Sequence, residues 1–134
     1  LFSGATQQNA NHFTFSLVDK HFEFIYDGVT NNLFDAESFL NEWHQIIVTG
    51  DSSENYFKVY IDGLFNSQIL SSSRPALRFD EGGVIIGADQ DRVGGGFEGG
   101  QFLFGYLDEY RIYNRALSAE EVKALYDLEK PKGK

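Results

Sequence analysis

Asp89 and Asp91 stand two residues apart at the head of a loop that runs through Arg92, Val93, Gly94, Gly95, Gly96, Phe97 and Glu98 to Gly100. A hard cation such as calcium takes carboxylates at irregular spacing of this kind, together with backbone carbonyls. The loop is not an EF-hand. Val93 falls on a ligand position, and Gly100 stands where the bidentate glutamate belongs. Gly94, Gly96 and Gly99 reproduce G-x-G-x-x-G, but no helix follows to supply a positive N-terminus, and Asp89, Asp91 and Glu98 surround the glycines. The loop therefore does not read as a dinucleotide site. Catalytic chemistry is poorly provided for. The chain has no cysteine, and its three histidines are His12, His21 and His44. G-x-S-x-G, H-E-x-x-H and C-x-x-C are all absent. His44 follows Trp43 in an apolar run and reads as a structural histidine, with Trp43 in the core. Exposed rings are the other chemistry on offer, because an aromatic face packs against the C–H face of a sugar. Tyr56, Tyr60, Tyr106 and Tyr113 fall opposite the inferred core faces, and Phe97 sits at a loop tip. Tyr60, Phe97, Tyr106 and Tyr113 are the candidates for such a platform; the other reading is that these rings only cover the sheets.

The elements that must hold these groups are short strands. A length of 134 residues suits one core rather than two. Residues 1–128 read as one domain, and 129–134, with Lys130, Pro131, Lys132 and Lys134, as a linker or tail. Eleven basic residues against twenty acidic ones give a net charge of −9, a surface that repels phosphate. Nucleic acid is excluded as a partner, and no apolar run is long enough for membrane insertion. Thirteen Phe and seven Tyr favour strands. Phe13, Phe15 and Leu17 alternate with more polar neighbours, and Phe22, Phe24 and Tyr26 repeat the pattern. Trp43 to Thr49 is apolar on both faces, as in a strand buried on both sides. Tyr56 to Ile61 runs into Asp62-Gly63, a pair suited to a type I′ hairpin turn. Val84-Ile85-Ile86 is a short strand between glycines. Phe102 and Phe104 resume alternation, and a bulge across Leu107 to Tyr110 would carry Tyr110 and Ile112 inward and re-aim Asp108. Ser118 and Glu121 form a capping box for one helix, with Leu117 and Val122 as its apolar staple. The fold class expected is all-β: a two-sheet antiparallel sandwich with a short C-terminal helix.

The run from Phe104 through Gly105, Leu107-Asp108-Glu109-Tyr110 and Asn114-Arg115-Ala116-Leu117-Ser118 to Val122 resembles the C-terminal signature of laminin-G-like jelly-roll domains, of the concanavalin A-like lectin/glucanase superfamily. Glu42 to Thr49 is similar to their Trp-His strand, Tyr60-Ile61-Asp62-Gly63 to their hairpin, and Ile86-Gly87-Ala88-Asp89 to a strand end that follows. The resemblance implies a jelly roll and a non-catalytic module of a larger extracellular or cell-surface protein, recognising carbohydrate or protein. It also implies calcium on the rim, with Asp108 as the first ligand and Asp89 and Asp91 behind it. Glucanases of this superfamily set two acids on one strand face. Asp108 and Glu109 are neighbours and point to opposite faces, so no enzyme is expected. A structural or adhesive spacer is the alternative function. Two strands usual before the Phe13 segment are missing or only partly replaced by Leu1 to Asn11. Such edges favour a homo-oligomer or a companion chain that completes the sandwich.

Overall fold

A computed structural model describes residues 2–18, 20–35, 37–71, 78–100 and 102–130. Strands β1 (Phe2–Thr6), β2 (Asn9–Val18), β3 (His21–Tyr26), β4 (Val29–Asp35) and β8 (Val84–Ile86) form an antiparallel sheet in the order β4-β3-β2-β1-β8. Strands β5 (Ile46–Gly50), β6 (Tyr56–Ile61) and β7 (Leu64–Leu70) form a second sheet in chain order, and α1 covers Ala119–Glu129. The chain divides into two compact units, Leu1–Ser38 with Leu77–Tyr110, and Phe39–Ala76 with Arg111–Lys134.

In the first unit, register explains the core. Phe2 pairs with Phe15, and Phe15 with Phe24, so three rings share one face of adjacent strands. Phe2, Phe13, Phe15, Phe22 and Phe24 are all buried, and their rings meet at 5.1–5.5 Å between Phe13 and Phe24, Phe2 and Phe13, and Phe15 and Phe22. The alternation expected from the sequence is therefore present. Gly4 lies under the Phe79 ring, where a Cβ would collide with it. The opposite face carries Ser3, Thr14 and Ser16 on the central strands, also buried.

Three elements differ from expectation. The sequence reading takes the strands before Phe13 as missing or only partly replaced by Leu1 to Asn11; β1 occupies the sheet interior there, paired to β2 and β8. β4 also has no alternating apolar signal, because Asn31 and Asn32 interrupt it, and it is held by pairing to β3. The strand expected over Phe102–Ile112 does not form. Beyond the bridge of Phe102 to Ala88 and the Leu103 N–H to Gly87 carbonyl bond of 2.8 Å, residues 104–113 belong to no ladder. Alternation prepares a strand, but a ladder also needs a neighbouring strand.

In the second unit, Asp62 (φ 51°) and Gly63 (φ 76°) make the expected tight hairpin between β6 and β7. The Tyr126 side chain lies where a Cβ on Gly63 would go. α1 opens on the expected capping box, with the Glu121 N–H on Ser118 Oγ at 3.2 Å and the Ser118 N–H on Glu121 Oε2 at 2.9 Å. Leu117 and Val122 are buried with Tyr60, and Ile47 and Leu125 pack against them. Trp43 is a correction: it is 57% exposed rather than core. The strand begins only at Ile46, because the Asp62 turn takes both backbone groups of Gln45, the N–H through its carboxylate at 3.0 Å and the carbonyl through its own N–H at 2.9 Å. β5 is half-buried along most of its length, not buried on both sides. Helix α1 runs to Glu129; the tail residues 131–134 lie outside the described residues.

Candidate functional site

The acidic loop leaves the sheet after β8 and is pinned by one amide. Gln90 has no exposed surface. Its Nε2 donates to the Ser3 carbonyl at 3.1 Å and the Gly83 carbonyl at 2.9 Å, while its Oε1 accepts the Gly94 N–H at 2.9 Å. Both donor hydrogens and the acceptor are thereby used, which is what a fully buried amide requires. Arg92 and Gly95 exchange two backbone hydrogen bonds, of 3.2 and 3.0 Å, and close a tight turn. Gly94 (φ 68°) and Gly96 (φ 76°) supply the left-handed backbone around it.

This frame sets Asp91, Arg92 and Val93 beside Thr6, Gln7 and Gln8 of the β1–β2 turn, and together they line a cleft of about 320 Å³. The Gln7 N–H donates to Asp80 Oδ2 at 2.6 Å, which holds that turn. Asp89 is half-buried, and its Oδ1 accepts the Gln90 N–H at 2.9 Å. Burial pushes the Asp89 carboxyl above its ordinary value; the Gln90 N–H opposes this, and the charge of Asp91 adds to the rise. Two like charges are thus held near each other, an arrangement that a divalent cation relieves. Among the described residues, no three His, Cys, Asp or Glu side chains gather into one metal-holding group. Asp108 does not join Asp89 and Asp91 in such a group. Its Oδ1 accepts the Glu109 N–H at 2.8 Å beside a left-handed Glu109 (φ 51°).

The aromatic candidates scatter. Phe97, on the acidic loop, is half exposed and its ring lies 5.9 Å from that of Phe102. Tyr106 is almost wholly exposed, in the same unit. Tyr113 is half exposed and belongs to the second unit. Tyr60 is 4% exposed, against the expectation of an outward ring, because it is buried with Leu117 and Val122 of the helix start. His12 and His44 serve structure. His12 Nδ1 donates to Asp27 Oδ1 at 2.6 Å and its Nε2 accepts the Arg78 N–H at 3.2 Å. His44 Nδ1 donates to Asp62 Oδ2 at 2.8 Å. Gln90 is the site residue that sequence reasoning missed, since a glutamine between two aspartates reads as solvated loop.

A family model described as the concanavalin A-like lectin/glucanases superfamily matches residues 1–123. The chain is 28% identical over 130 residues to C-reactive protein 1.1 of Limulus polyphemus, covering 93% of this chain and 53% of that protein. It is 34% identical over 84 residues to human neuronal pentraxin-2, covering 60% of this chain and 19% of that protein. It also superimposes on the native heptameric SAP-like pentraxin of Limulus polyphemus with a TM-score of 0.72 at 20% identity, over 93% of this chain and 61% of that one. Its two antiparallel sheets and short helix thus have the pentraxin jelly-roll fold. The chain spans about half the length of the horseshoe-crab relatives it matches.

Proposed function

Because this chain belongs to the concanavalin A-like lectin/glucanases superfamily, we propose that it is a non-catalytic binding module. Its ligand, carbohydrate or protein, docks at the cleft between the β1–β2 turn and the acidic loop, with calcium in support. The observation that carries this reading is the cleft itself. It is lined by Thr6, Gln7, Gln8, Asp91, Arg92 and Val93, and Asp89, two residues before Asp91, is destabilised as an anion. Those groups suit the hydroxyls of a sugar or the polar edge of a peptide. Asp89 and Asp91 supply two of the six to eight oxygens that calcium takes, and loop carbonyls and amides are the remaining donors at hand. Bound calcium would supply the charge that holds ligand oxygens. Phe97 offers the ring nearest in sequence to those acids, and Asp108 is a separate single carboxylate with a lesser claim. Tyr113 is a secondary ring in the other unit.

The family likeness also supports a parent protein that works outside the cell or on its surface. Among the described residues, no helix is long and apolar enough to cross a membrane. The heptameric state named for the horseshoe-crab structure supports self-association here, or completion by a companion chain.

Calorimetric titration with calcium tests the reading. The wild-type chain is expected to give heat and a higher melting temperature, and Asp91→Asn is expected to lose both with at least a tenfold fall in affinity. Glycan-array and surface-capture binding should then appear with calcium and vanish with a chelator. No heat and no thermal shift remove calcium from the proposal. Calcium binding without any ligand favours the structural or adhesive spacer.

A further inference from the structure

His12 is a buried titratable group of the first unit, with 9% of its side chain exposed. Its two ring nitrogens have unlike neighbours. The Arg78 backbone N–H stands 3.2 Å from Nε2 and can only donate, so Nε2 is the nitrogen without a proton. The proton therefore sits on Nδ1, which donates to Asp27 Oδ1 at 2.6 Å. Of the other elements around the ring, β3 brings Tyr26 at 5.4 Å, the segment 78–83 brings Phe79 at 6.5 Å, and β1 has no titratable side chain. Arg78 and Glu81 of that segment are exposed, and its Asp80 carboxylate is turned to the Gln7 N–H.

A second proton on this ring abolishes its acceptor. Nε2 then becomes a donor aimed at the Arg78 N–H, and that bond cannot persist. The ring keeps its place, because an imidazolium pairs more strongly with the Asp27 carboxylate. The backbone at Arg78 is what must give way, and it leads directly to the cleft. Phe79 lies over Gly4 and 5.8 Å from the Phe2 ring. Asp80 donates its N–H to the Ala5 carbonyl at 3.2 Å and accepts the Gln7 N–H on Oδ2 at 2.6 Å. Gln7 lies in the β1–β2 turn, one wall of the cleft.

We propose that His12 is a pH-sensitive latch: its neutral ring fastens the strap Arg78–Asp80, and its protonation frees the strap and with it the β1–β2 wall of the cleft. Ligand is then held at neutral pH and released in mild acid. That consequence rests on the cleft reading above; the latch itself does not.

Amide exchange by NMR tests this, read as protection factors corrected for the intrinsic pH dependence of exchange, without calcium or ligand. Imidazoles gain a proton between about pH 5 and 8, above the carboxylate range. Between about pH 7.5 and pH 5.5 the Arg78 and Gln7 amides should each lose about tenfold or more of their protection, while Phe24, buried in mid-sheet, keeps its own. The nitrogen signal of His12 Nε2 should report protonation over the same interval. His12→Gln offers Arg78 an amide oxygen that does not titrate, and should abolish the loss. Constant protection in the wild-type chain overturns the inference. So does a loss that persists in H12Q, or one that runs out of step with Nε2 protonation. A loss at Arg78 with Gln7 unchanged overturns the link to the cleft. The two wild-type titrations decide the matter even if H12Q misfolds. Because exchange is read without ligand, a cleft that binds nothing leaves this result standing, and a failed latch leaves the calcium titration at neutral pH standing.

Discussion

At the scale of single residues, Gln90 holds the candidate site to its scaffold. Its amide satisfies two carbonyls from β1 and the β8 approach in buried bonds, and one loop N–H in a part-buried one. Each buried polar group stranded without a partner costs about 1–3 kcal/mol. The Gly83 carbonyl keeps the Ala5 N–H at 2.7 Å, so Gln90→Ala chiefly strands the Ser3 carbonyl contact and is expected to lower unfolding stability by about 1–3 kcal/mol, measured by urea titration. It should also weaken calcium binding, because the Asp89–Asp91 pair loses its frame; a Gln90→Ala chain of unchanged stability would contradict this account. Asp89 works in the other direction. Burial and the neighbouring charge make its carboxylate a local liability, so the site is assembled at some expense to the fold. None of this was legible beforehand. A glutamine flanked by aspartates carries no sign of burial, and only the tertiary approach of Ser3 and Gly83 creates one.

At the scale of elements, local chemistry was legible where it closes on itself. The Ser118–Glu121 box, the Asp62-Gly63 turn and the Phe alternation of β2 and β3 are each decided within a few residues or by one neighbouring strand. Ser118→Ala should cost about 1 kcal/mol, read as a lower melting temperature with little change in the native circular dichroism. Acid acts on the same helix. Arg115 forks onto both Glu121 oxygens at 2.7 Å, and with the Ser118 N–H it holds the Glu121 carboxyl down to about 2, against an ordinary 4.5. Lys123 and Lys130 likewise hold Asp127 down to about 2, against 3.8. A carboxyl held below its unfolded value stabilises the fold above that unfolded value and loses the contribution as pH falls through the folded one. Helix stability should thus decline from about pH 4.5 to pH 2, modestly because both groups are exposed and screened. Glu121→Gln should flatten that decline in an acid titration followed at the helix band. What was not legible depends on distant partners. β1 has one large apolar side chain and earns its place by pairing on both sides, while Phe102–Ile112 has the alternation and no ladder.

At the scale of the molecule, an Asp-Gly turn and a histidine recur together. Asp27 (φ 49°) meets His12 in the first unit, and Asp62 (φ 51°) meets His44 in the second. In each, a turn carboxylate reaches the imidazole of a neighbouring segment and ties the turn into its unit, so both histidines are occupied by architecture. The acidic surplus has a different distribution. Some of it is neutralised on α1 by Arg115, Lys123 and Lys130, and some is set close together, where the charge of Asp91 adds to the rise of the Asp89 carboxyl. The bias against phosphate and the absence of catalytic motifs could be read from composition. The cleft could not, because the β1–β2 turn and the loop after β8 are far apart in sequence.

Gln90 grips its surroundings through main-chain atoms at Ser3, Gly83 and Gly94 rather than through their side chains. Point changes at Asp91, Arg92 or Val93 can therefore retune what the cleft accepts, whereas a single insertion between Gly83 and Gln90 would pull the clamp out of reach. Diversification of such a module should proceed by exchange of residues at constant loop length, and anyone grafting the loop onto another scaffold must carry its spacing intact.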